Sequence, residues 1–87
     1  MTLLKSNVIV TEHYLTCIDP DHNRYRFYHV TMQPGLFSNL CLIRRWGRVG
    51  SEGRSLSMSF ETMDELNREV RRLLRMKEKR GYSGFAT

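Results

Sequence analysis

The sequence predicts an α+β fold: a small antiparallel sheet of about four strands with one long C-terminal helix packed across one face. Three observations predict it. Runs of Val, Ile, Tyr, Phe, Thr and Leu alternate with period two through the first sixty residues. Glycine, proline and Asp/Asn clusters punctuate those runs at short intervals. From residue 62 onward the apolar period changes to that of a helix.

The elements follow in order. Val8 to Ile18 reads as a first strand, closed by the turn formers Asp19-Pro20-Asp21-His22-Asn23. In a second run, Tyr25 to Gln33, Tyr28, Val30 and Met32 alternate with Phe27, His29 and Thr31, so both faces are semi-apolar. Pro34-Gly35 breaks the run, and Leu36-Phe37 reads as an apolar plug in the connection. In a third strand, Leu40 to Trp46, Leu40, Leu42, Arg44 and Trp46 share one face while Cys41, Ile43 and Arg45 share the other. Gly47 to Gly53 is a glycine-punctuated turn, and Arg54 to Phe60 returns as a fourth strand. There Leu56, Met58 and Phe60, or their neighbours, are expected to face the core, and Ser55, Ser57 and Ser59 solvent.

The helix has the strongest signals. Thr62 with Glu65 forms a capping box. Met63, Leu66, Val70, Leu73 and Leu74 recur on one stripe, and Gly81 stands where a C-terminal cap belongs. Lys77 continues the apolar stripe, so its stem should run along the core and lift the ammonium out. Arg68, Arg72, Arg75 and Lys79 line the opposite side, where Asp64, Glu65 and Glu69 can pair with them, so that stripe reads as solvated surface. With 87 residues, no repeat and no linker, the chain is one domain over 1–87, its core at about 8–82.

Composition narrows the function. Fourteen Lys and Arg face nine Asp and Glu, a formal net charge of +5, and only Lys5, Lys77 and Lys79 are lysines. The positive charge therefore resides mainly on guanidinium groups, which grip phosphate bidentately. No run is long and apolar enough to cross a membrane or serve as a secretory signal. The expected compartment is the cytoplasm, with association with the nucleoid left open. Cys17 and Cys41 read as free buried thiols, a disulfide between them being the alternative. His13, His22 and His29 are scattered; His13 and His29 could share a face, but no third ligand accompanies them. No nucleophile motif or strand–glycine-loop–helix unit occurs, so an enzyme, a metal, a cofactor and a small-molecule substrate are not expected.

The informative run is Arg44-Arg45-Trp46-Gly47-Arg48-Val49-Gly50-Ser51-Glu52-Gly53-Arg54, four arginines around a lone tryptophan against one acid. An indole offers a face for stacking a base or sugar, arginines supply phosphate contacts, and glycines allow tight turns. The opposing reading is that Trp46 closes the core at a strand end and the arginines are merely solvated. Spacing divides the two evenly.

At these residues the chain resembles the WGR domain family, found in poly(ADP-ribose) polymerases and in short bacterial proteins. The signature is Trp46-Gly47-Arg48, continued as Val49-Gly50. Asp19-Pro20, Asn23 and Arg26-Phe27-Tyr28 before it are also similar, as are Leu36-Phe37, Gly53, Lys77 and Arg80-Gly81-Tyr82. The resemblance implies a sheet crossed by a helix and a non-enzymatic module that binds nucleic acid, DNA being favoured and ends or breaks being candidate targets. It implies stacking by Trp46, phosphate or partner contact by Arg48, and backbone contact by Asn23 with either Arg24 or Arg26. With Arg44, Arg45, Arg54, Lys77 and Tyr82 these form the candidate interface, and Gly47, Gly50 and Gly53 its structural signature. The domains that accompany WGR in the polymerases are missing here, so ADP-ribosylation is not implied. The alternative function is a protein-interaction module, accessory to a DNA repair or regulatory partner, with Trp46 as interface anchor.

Overall fold

The computed structural model describes residues 12–35 and 39–86. Five strands form one antiparallel sheet: β1 (Glu12–Asp19), β2 (Arg24–Pro34), β3 (Leu40–Arg48), β4 (Arg54–Phe60) and β5 (Ser83–Ala86), in spatial order β4-β3-β2-β1-β5. One helix, α1 (Met63–Lys79), lies across one face. The α+β expectation holds, with two extensions. The signature strand runs on through Gly47 to Arg48, because the β2–β3 register continues to the pair Arg26–Arg48. A fifth strand, absent from the expected four, pairs Ser83–Ala86 with Thr16–His13 on the free edge of β1. The start of the expected first strand, Val8 to Thr11, and the Leu36-Phe37 plug lie outside the described residues.

Period-two alternation sorts the side chains as expected. Leu15, Tyr28, Val30 and Leu42 on the sheet meet Leu66, Val70 and Leu73 of α1 in a single buried core. Met58, Phe60, Leu40 and Trp46 pack at its margin, whereas Met63, at the head of the helical stripe, is 43% exposed. Glu65 N–H donates to Thr62 Oγ1 (3.2 Å) and Thr62 Oγ1 to Glu65 Oε1 (3.3 Å), the reciprocal cap that the sequence signals. On the outer side of α1, Arg72 forks onto Glu69 at 2.9 and 2.6 Å, a solvent-screened surface pairing that adds little to stability.

The face away from α1 carries its own buried ring. Phe27 is 2% exposed, stacked on Tyr14 (centroids 5.9 Å apart, planes at 3°) and covered by the Arg45 guanidinium at 5.0 Å. The β3–β4 turn closes over its edge. Gly53, at φ +74°, has a left-handed backbone, and a Cβ there would strike the Trp46 carbonyl oxygen and lie 2.9 Å from Phe27 Cζ. Gly53→Ala is therefore expected to destabilise the fold by about 1–3 kcal/mol, read as a fall in Tm of roughly 4–8 °C per kcal/mol.

Register also corrects the histidine reading. His13 stands beside Val30 and His29 beside Tyr14, so the two histidines occupy opposite faces of the sheet. His29 Nε2 pairs instead with Glu12 Oε1 at 2.5 Å. Cys17 and Cys41 are both free; Cys17 is buried on the helix side and Cys41 sits on the other face. No group of three metal-ligating side chains occurs among the described residues. No helix there is long and apolar enough to cross a membrane.

Candidate nucleic-acid interface

Three local structures converge at the end of the sheet where β2 begins and β3 ends. The first is the turn between β1 and β2. Pro20 starts a short 3-10 helix, Pro20–His22, its fixed φ suiting that position, and Asn23 ends it in the left-handed region at φ 53°, which Asn tolerates better than most residues. Asn23 Oδ1 then accepts from Arg48 Nη2 at 3.3 Å. The second is the β3–β4 turn, tied to β2 by Val49 N–H donating to the Tyr25 carbonyl (2.7 Å). Arg48 lies with its guanidinium carbon 5.1 Å from the centre of the Tyr25 ring.

The third is the end of α1. Gly81 N–H donates to the Glu78 carbonyl (3.1 Å) and Tyr82 N–H to the Lys77 carbonyl (3.0 Å). This is the Schellman pairing, which needs a left-handed residue after the helix; Gly81 supplies it at φ +94°. The reversal folds Tyr82 back over Lys77. The Lys77 ammonium sits between two rings, 4.7 Å from the centre of Tyr28 and 5.0 Å from that of Tyr82. The head does not lift clear into solvent, as the apolar stripe suggests, but stops among aromatic faces.

Together these pieces enclose an open groove of about 380 Å³. Trp46, Arg48, Asn23, Arg26, Lys77 and Tyr82 all line it, with Gly47 and Tyr25. Two adjoining depressions share Lys77 as a common wall. One adds Arg24 and Arg80, the other Arg44, Tyr28 and Met76. Both readings of Trp46 describe part of its position: the half-buried indole packs against the core margin and also faces the groove. Of the two candidate equivalents, Arg26 stands in the groove and Arg24 in the depression next to it.

Not every nominated arginine arrives there. Arg44 shares Trp46's face, its guanidinium carbon 5.7 Å from the ring, and its Nε is buried. Arg45 points to the opposite face, over Phe27, and donates to the Glu52 carbonyl at 3.1 Å. Arg54 stands across from Trp46 on β4, exposed, outside the groove lining. Gly47 belongs to the groove wall and Gly53 props the turn; Gly50 is exposed at its tip. Tyr25, Tyr28 and Arg80 were not nominated. Tyr28 and Arg80 belong to segments that resemble the family, whereas the sequence signal of Tyr25 is only its place at the start of the alternating run.

The electrostatics are one-sided. Burial pushes the Lys77 ammonium below its ordinary pKa, and Arg80, Arg44 and Arg26 push it the same way. Among the described residues, the ion pairs are His22–Asp19, His29–Glu12 and Arg72–Glu69, so none neutralises Lys77, Arg26, Arg48 or Arg80. Chemically the groove offers cationic donors and flat aromatic faces at one place.

The WGR domain family model matches residues 11–86 of the sequence. The chain belongs to the WGR domain family. It is also 39% identical over 69 residues to the uncharacterized protein y4dW of Sinorhizobium fredii, a match covering 79% of this chain. The chain spans about a third, 34%, of that relative's length. No solved structure matches it. The WGR signature thus sits where strand end, turn and helix end meet, with its tryptophan and arginine on the groove.

Proposed function

We propose that this WGR domain is a nucleic-acid-binding module, DNA being its favoured ligand, rather than an enzyme. Lys77, Arg26 and Arg48 take backbone phosphates, and the exposed part of Trp46 stacks against a base or sugar. One observation carries the reading: a cluster of cationic side chains around aromatic faces, with no carboxylate paired to it among the described residues. Phosphates supply the missing counter-charge, and aromatic rings bind a nucleotide's flat faces without reading sequence. The resemblance to the WGR domains of poly(ADP-ribose) polymerases makes ends and breaks the first ligands to try.

Titration with blunt, nicked and single-stranded oligonucleotides at several salt concentrations tests this. Log affinity is expected to fall linearly with log salt, and Arg48→Ala to lower the duplex slope by about 0.9 for its one lost phosphate contact. Weak binding that ignores both Arg48→Ala and Trp46→Ala would instead support a protein partner. The groove's Trp, Tyr and Arg content is that of interface anchors, which keeps this second reading in play.

A further inference from the structure

Among the described residues β4 is the outer strand of the sheet, and its free edge there carries none of the features that keep sheet edges apart. An edge presents a row of unpaired N–H and C=O groups, usually guarded by short strands, lysine, proline, inward charge or a bulge. The other edge strand, β5, is only four residues long. β4 runs for seven, Arg-Ser-Leu-Ser-Met-Ser-Phe, with its single charge at the first position. Its register with β3 is unbroken from Leu40–Phe60 to Trp46–Arg54, so no bulge twists it away. Ser55, Ser57 and Ser59 are exposed, and Leu56 is 44% exposed beside them.

We propose that β4 pairs antiparallel with β4 of a second copy of this chain, about a two-fold axis through Ser57, to make one continuous sheet. A lateral two-fold pairing of antiparallel strands requires its axis perpendicular to the sheet, so both helices lie on the same side. Ser57 is the middle residue of β4, and centring there pairs the whole strand; any other symmetric register leaves strand residues unpaired. The sequence is self-complementary in this register. Leu56 meets the partner's Met58, Ser55 meets the partner's Ser59, and Ser57 meets its own copy. Arg54 falls opposite the partner's Phe60, a cation beside a ring, and no like charges face one another. The two Trp46 side chains then stand about 25 Å apart, from three inter-strand spacings and a six-residue offset. No β4 residue lines the groove, so this pairing is independent of the nucleic-acid reading.

Sedimentation equilibrium of the 87-residue chain from micromolar to millimolar concentration is the test. The mass is expected to rise reversibly from 10.3 kDa to twice that value. Ser57→Glu and Ser57→Lys each set like charges face to face across the axis and should weaken association up to about fivefold, whatever the sign of the charge. Ser55→Glu combined with Ser59→Lys places opposite charges across the axis and should retain the dimer. These serines are exposed, so far-UV circular dichroism should be unchanged in all three variants. A mass fixed at one chain, association as tight as wild type in both Ser57 variants, loss of dimer in the paired-charge variant, or growth beyond two chains would each overturn the proposal.

Discussion

Lys77→Met is expected to weaken duplex binding about ten- to a hundredfold at constant salt, while the fold melts no lower than wild type. A hydrogen bond to a charged group contributes about 1.5–3 kcal/mol, and every 1.4 kcal/mol is tenfold in Kd. Lys77 should lie at the upper end, because the ammonium is already stripped of part of its water and borders all three depressions. The sign for stability is opposite. Its folded-state pKa lies below that of the unfolded chain, so the unfolded state holds this proton more tightly. The charge therefore disfavours folding at neutral pH, and that disadvantage disappears as pH rises through the lowered value toward the ordinary lysine value. Binding runs the other way: a phosphate needs the proton in place, so affinity should fall over the same alkaline window. Lys77→Arg, which does not titrate there, should hold its affinity across it. Fluorescence-anisotropy titrations between neutral and alkaline pH check both variants; equal pH profiles for wild type and Lys77→Arg would show that Lys77 does not hold the phosphate.

Phe27→Ala should be the most damaging single truncation for stability, about 3–5 kcal/mol in denaturant unfolding. That is a large fraction of what a domain of this size possesses. Phe27 is the 2%-exposed ring on the face that α1 does not cover. Its loss leaves Tyr14 and the Arg45 guanidinium without their partner and removes the support beneath Gly53. The damage should reach the groove, because the same turn carries Arg48 and Gly47. Hydrogen exchange at residues 47–53 should speed up more than at the buried middle of α1. If those amides keep wild-type protection in the variant, Phe27 is not the support of the turn.

Much of this architecture is legible in the sequence. The alternation in Tyr25–Gln33 and Leu40–Trp46 puts Tyr28 with Val30, and Leu42 with Trp46, on common faces, and Thr62 with Glu65 places the helix start to the residue. The semi-apolar second face of β2 already held the clue to Phe27. What could not be read was pairing made by tertiary context. Ser-Gly-Phe-Ala has no alternation and a glycine inside it, and it becomes a strand only because the β1 edge is there to receive it. The run around Trp46 likewise treats Arg44, Arg45, Arg48 and Arg54 as one patch, yet pleating sends Arg45 to the far face and leaves Arg54 outside the groove. Conversely, no spacing rule brings Asn23, Arg48 and Lys77 together. The resemblance to WGR domains nominated them, and the geometry joins them.

The groove's three walls come from residues 23–26, 46–48 and 77–82, segments that meet only once the strands are ordered and the helix has docked. The β2–β3 hairpin carries the first two walls, but the third, and Lys77 with it, arrives only when α1 docks. Occupancy and global folding are therefore a single linked equilibrium: a ligand at a hundred times its Kd would add about 2.7 kcal/mol to the stability of the entire chain. A lesion anywhere in the scaffold would register as lost affinity, even at positions that no ligand touches.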